Sequence, residues 1–188
     1  MTKSKTARNK PSVKKTSPAF IRFWSKKETR IAFGIILTGM ALYLSIIFFS
    51  FLFTGSSDFS KVENLAFGDM DKIGSDIRNL GGAFGAWTSN MIINHWFGIP
   101  TLFVIVFIWF LGLRMIGAVK TSLIKVFVLC TLGLIWFSLF LGFFFKSFYE
   151  GSFLMWGGSH GYFASEWLTI RIGWSGTSIV IIGSLLIF

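Results

Sequence analysis

The 188-residue chain is 53% apolar and 19% aromatic, has only 14% charged residues, and still carries a formal net charge of +10. A soluble domain averages about 25% charged residues, a disordered chain is poor in Phe, Leu and Ile, and a disulfide scaffold needs more than the single cysteine here, Cys130. These figures leave an all-α membrane protein whose few charges sit in particular places.

In chain order, residues 1–16 are Lys-rich and nearly free of apolar side chains, which predicts a disordered basic cytoplasmic tail. A basic tail could hold DNA through its phosphates. No groove-reading motif accompanies it, and topology plus anionic lipid accounts for the charge. Residues 17–30 come next, with Ser17 as an N-cap and Pro18 at the first helical position. Aromatic and basic residues alternate there, which predicts a short interfacial helix on the cytoplasmic side.

Residues 31–188 read as a four-span membrane domain. A span needs about 20 apolar residues, because a helix rises about 1.5 Å per residue through about 30 Å of hydrocarbon. The expected spans are 31–53, 96–116, 124–145 and a shortened 173–188. The first is too long for the apolar core of a signal peptide, and no Ala-x-Ala cleavage site follows it. The connections 54–95 and 146–172 form two longer loops. In the first, Ser60-Lys61-Val62-Glu63 has capping-box form and predicts an amphipathic helix over 61–80. Residues 79–113 lack any charge, too long a stretch for one straight span. Gly98 and Pro100 interrupt it, which separates a helix over 83–95 from the span over 96–116.

Charge sets the direction. The first 30 residues hold a net charge of +9, residues 54–80 hold −2, the turn after the second span holds +3, and residues 146–174 hold zero. Lys and Arg collect on alternate sides, as the positive-inside rule requires. The determinants are Arg22, Lys26, Lys27 and Arg30, then Arg114, Lys120 and Lys125. The N-terminus is then cytoplasmic and both long loops lie outside. If 83–95 crossed independently, Arg114, Lys120 and Lys125 would end outside. That stretch is therefore expected as an interfacial or re-entrant helix on the outer face.

The two outer loops end alike. Gly81-Gly82-Ala83-Phe84-Gly85 matches Gly157-Gly158-Ser159-His160-Gly161 at an offset of 76. The same offset pairs Ser89 with Ser165 and Thr101 with Thr177. This predicts two hairpins, each a span, an outer loop, an outer helix and a returning span. Gly81/Gly85 and Gly157/Gly161 have GxxxG spacing, and Gly34/Thr38 is a small-xxx-small pair, so both hairpins could pack through small residues. The alternative is that the Gly-Gly corners are simple turns.

Reactive groups are few. His95 and His160 occupy unequal positions in the two halves and lack the ligand partners of a metal site. Cys130 reads as an apolar filler. Gly112-Leu113-Arg114-Met115-Ile116-Gly117 lacks the Lys-Ser or Lys-Thr of a phosphate loop. The expectation is a module with no catalysis, cofactor or metal of its own.

The stretch Asn79-Leu80-Gly81-Gly82-Ala83-Phe84-Gly85-Ala86-Trp87 is the most specific signal. It follows a basic N-terminus, a span and Ser57-Asp58, and precedes Phe97-Gly98 and a span with Pro100. Ser175-Gly176-Thr177 then enters the fourth span. This order resembles the N-terminal membrane domain of the FtsK/SpoIIIE DNA translocases, over roughly residues 28–188. The resemblance implies a four-span anchor of a hexameric DNA pump at the division septum of the bacterial inner membrane. It implies self-association, contacts with other division proteins, and a downstream motor that alone would bind ATP, magnesium and DNA. On that reading the chain is the front part of a longer protein. A small two-hairpin transporter or channel subunit, or an unrelated membrane scaffold, is the alternative.

Overall fold

The computed structural model describes residues 26–66, 68–70, 76–149 and 151–187. The expected basic tail, Arg22 and most of the 17–30 helix lie outside these residues. Among the described residues, every regular element is helical.

Helix α1 is Lys27–Val62, α2 is Gly82–Asn90, α3 is Leu102–Ile116, α4 is Leu123–Phe144 and α5 is Gly158–Ser184. Three segments are long and apolar enough to cross a membrane: Lys27–Val62, Ile99–Ile116 and Leu123–Phe144. Their outward faces carry Ile35, Ile36, Ile124 and Leu129, all exposed. Such faces need hydrocarbon rather than water around them.

Helix α1 departs from the expected span 31–53. Its 36 residues would rise about 54 Å, well beyond a hydrocarbon core of about 30 Å. The stretch Thr54-Gly55-Ser56-Ser57-Asp58, expected as the start of the first outer loop, stays helical, with Ser57 and Asp58 bonded inside the fold and Gly55 packed against the second loop. Ser57 Oγ donates to Thr54 O at 2.8 Å. Gly55 faces the Phe153 ring so closely that a Cβ there would collide with it. Among the described residues, the expected helix over 61–80 does not start at the capping box. Val62 ends α1, so the capping-box residues close a helix instead of opening one, and a short turn over 68–70 follows.

Helix α2 continues for seven residues as a π-helix, Met91–Phe97. The chain breaks at Gly98, turns through a 3₁₀ segment Ile99–Thr101 that carries Pro100 in its first turn, and enters α3. Trp96, itself outside helical space (φ −108°, ψ −110°), and Phe97 thus lie before the break and not in the span expected over 96–116. Thr101 Oγ1 donates to Ile92 O at 2.7 Å, which satisfies a carbonyl of the π-helix. Helix α3 ends in a Schellman motif: Gly117 N–H donates to Arg114 O and Ala118 N–H to Leu113 O.

Helix α5 is also interrupted. Gly173 lies outside helical space (φ 71°, ψ 172°), so residues 158–172 and 174–184 are two helical pieces. The second piece packs on α4, where Trp136 Nε1 donates to Ser184 Oγ at 3.0 Å and Ile181 O at 3.2 Å.

Helices α1 and α3 run antiparallel. Gly34 near the start of α1 meets Gly112 and Ile116 near the end of α3. Lys26, Lys27, Arg30, Arg114, Lys120 and Lys125 are therefore gathered at one end of the bundle. The apolar core lies toward the other end, where Phe48, Phe51, Val62, Ala86, Ile93 and Ile105 are buried against Phe153 and Leu154 of the second loop.

Candidate functional site

The two Gly-Gly corners sit at the end opposite the basic residues. The first is built around Asp58, a carboxylate with no solvent exposure. Backbone N–H groups of Arg78 and Asn79 donate to its two oxygens at 3.0 and 2.9 Å. Ser57 Oγ lies 3.2 Å from Oδ1. Asp58 falls in the last turns of α1, where the helix dipole disfavours a negative charge. The two backbone donors offset that cost and fix where the chain returns. The buried Asn79 then donates through Nδ2 to Ile47 O at 3.0 Å and accepts from Gly81 N–H at 2.9 Å. Leu80 N–H donates to Ser50 Oγ at 2.9 Å. A Cβ on Gly81 would strike Ile47, and one on Gly85 would strike the Asn79 amide oxygen. Gly81 and Gly85 are close-packing positions. Gly82, with φ 62°, has no neighbour within 4 Å of an added Cβ among the described residues.

The second corner packs on α4. Gly157 and Gly161 lie against the backbone of Ser138 and Gly142, leaving no room for a Cβ. Ser138 Oγ donates to Gly157 O at 2.7 Å and lies 3.0 Å from His160 Nδ1. The hydroxyl has one proton, already given to Gly157, so Nδ1 carries the proton that closes the second bond. Gly157 N–H in turn donates to Tyr149 Oη at 3.1 Å.

A seam joins the halves. Gly98 and Gly158 are so close that a Cβ on either would land on backbone of the other. Ile99 N–H donates to Trp156 O at 2.9 Å. Asn94, buried in the π-helix, reads the second loop in both directions. Its Nδ2 donates to Phe153 O at 2.9 Å and its Oδ1 accepts from Met155 N–H at 2.8 Å. Ser159 Oγ donates to Asn94 O at 2.9 Å.

The seam brings together residues that look unrelated in sequence. His95 and His160 line one cavity of about 620 Å³ with Trp96 and Phe97. The His160 ring packs against Phe97 at a tilt of 41°, with centroids 4.7 Å apart. Burial lowers the His160 pKa from its ordinary 6.5. The unfolded chain then binds that proton more readily than the folded chain. The stability tied to this group is complete above pH 6.5 and is lost as pH falls toward the lowered folded value. The melting temperature in detergent should drop across that window, and His160→Gln should flatten the drop. An unchanged slope in that variant would refute the assignment.

A second cavity of similar volume opens between the end of α4 and α5. Lys146 and Glu166 pair across it at 3.2 Å, and the ammonium sits 4.8 Å from the centre of the Tyr162 ring. Hydrogen bonds from Lys146 and then Tyr162 hold the Glu166 carboxyl below its ordinary range. Among the described residues no cluster of three metal-ligating side chains occurs, and Cys130 is a buried free thiol in α4.

Two residues that organise these sites show little of that role in sequence. Asp58 enters the resemblance beside Ser57, but its burial is not marked there, since it is one of five acidic residues over 54–80. Asn94 has a weak signal: it stands four residues after Asn90, to which it also hydrogen-bonds at 2.7 Å, inside an otherwise apolar stretch.

Residues 26–188 match the family model described as the 4TM region of DNA translocase FtsK/SpoIIIE. No curated protein and no solved structure matches the chain.

Proposed function

The chain belongs to the FtsK/SpoIIIE family through its 4TM region, and from that membership we propose that it anchors and assembles a DNA translocase at the bacterial division septum. The match carries this reading, because it spans every described helix from α1 to α5. The protein is a membrane module of an FtsK/SpoIIIE-type translocase and not itself the catalytic part.

In the proposed arrangement four spans form two hairpins in the inner membrane. Helices α1 and α3 make the first, and α4 with the piece of α5 after Gly173 makes the second. The outer helices, α2 with its π extension and residues 158–172, lie at the outer face. The basic residues gathered at one end of the bundle support a cytoplasmic N-terminus. Copies of the chain associate with one another and with other division proteins. ATP, magnesium and DNA belong to a cytoplasmic motor joined downstream.

A conduit reading gains little support from the spans. Thr38 Oγ1 and Ser45 Oγ donate back to Gly34 O and Ala41 O, each at 2.8 Å, and Ser138 closes the second corner. A fluorescent fusion of the chain in a dividing bacterium tests the septal reading. Enrichment at midcell is expected, and uniform fluorescence around the membrane would sink it.

A further inference from the structure

Two pairs of glycines recur along the chain in matching conformations. Gly82 and Gly158 have φ of 62° and 64°. Gly98 has φ 77° and ψ −151°, and Gly173 has φ 71° and ψ 172°. In each half the first glycine opens an outer helix and the second breaks the chain before the returning segment. The chain therefore contains two copies of one structural unit, each with a corner and a break.

The two units meet in one sense only. The corner of the second sits on the break of the first: a Cβ on Gly158 would strike Gly98 and Trp96, and Ile99 N–H donates to Trp156 O at 2.9 Å. A two-fold relation would also seat the Gly82 corner on the Gly173 break. Instead, a Cβ at either of those glycines meets nothing within 4 Å among the described residues. The relation is head-to-tail, and it leaves one corner and one break unfilled. Counted from the glycines, Trp156 stands two before its corner glycine and Ile99 one after its break, and the residues in those places here are Leu80 and Trp174. They are apolar, yet 78% and 64% exposed.

We propose that a second copy of this chain fills these two surfaces, with the Gly82 corner of one protomer seated on the Gly173 break of the next. The new contact repeats the relation already present inside the chain. This rests on the self-association in the reading above. A heterologous contact generates a ring when its rotation closes and a filament when it does not. Copies held in one bilayer rotate only about the membrane normal, so the contact has no helical rise and builds a planar assembly, a ring where the rotation divides a full turn.

Cysteine cross-linking of the full chain in native membranes tests this, in a Cys130→Ser background. Leu80→Cys and Trp174→Cys take the positions that correspond to the backbone-bonded pair Trp156 and Ile99, within disulfide reach. Neither variant alone should cross-link. The two co-expressed should give a dimer, and the double variant a ladder that ends in a closed species. A dimer from either single variant alone would indicate a two-fold contact and overturn the proposal. No cross-link from the co-expressed pair, with an oligomer still seen by native mass spectrometry, would overturn the interface and leave self-association standing. A monomer by both measurements would overturn the two together.

Discussion

Asp58→Ala should lower the stability of the detergent-solubilised chain by about 4 kcal/mol, because each buried donor left unpaired costs about 1–3 kcal/mol. The substitution strands the N–H groups of Arg78 and Asn79, both of which use Asp58. It also frees the return of the chain to α1, so Asn79 loses its register on Ile47. Asp58→Asn is the informative comparison. One oxygen remains as an acceptor, while the new amide nitrogen faces a second donor. Its effect should be roughly half that of the alanine, by the same per-donor cost. Unfolding midpoints of the three proteins measure the difference. A loss below about 1 kcal/mol for Asp58→Ala would mean that water satisfies both donors, and the corner would not depend on the carboxylate.

Gly158→Ala and Gly82→Ala should behave differently although the two glycines share a conformation. At both, a left-handed backbone costs an L residue about 1–2 kcal/mol. At Gly82 nothing else opposes the new methyl group. At Gly158 the methyl group meets the backbone of Trp96, Phe97 and Gly98, and overpacking of this kind adds about 1–3 kcal/mol. The expected total at Gly158 is on the order of 3–4 kcal/mol, with the Ile99–Trp156 bond broken as the halves part. Equal effects on the unfolding midpoint would show that the seam can spread, and that both corners are only turns.

Much of this fold is legible in the apolar runs. The α4 run and the break at Gly98 follow from periodicity, charge and the Gly-x-Pro interruption, because those effects are local. The resemblance carried by Asn79 to Trp87 holds across the family match. The length of α1 is not legible, because residues 54–58 have turn composition. Their helical state depends on Phe153, about a hundred residues away, packing over Gly55. The pairing of Gly98 with Gly158 is likewise non-local. A Gly-Gly corner in sequence does not say which glycine meets another backbone and which meets open space. The role of Asn94 is hidden for the same reason: its two bonds to the second half go to a loop with no regular structure.

The unbroken course of α1 has a mechanical consequence. Two other apolar segments are jointed, at Gly98 before α3 and at Gly173 within α5. Helix α1 has no joint between Lys27 at the basic end and Val62 at the corner end. A pull or twist applied at its basic end is therefore not absorbed by a hinge. It reaches Asp58, and through Asp58 the first corner, as displacement of a single stiff rod.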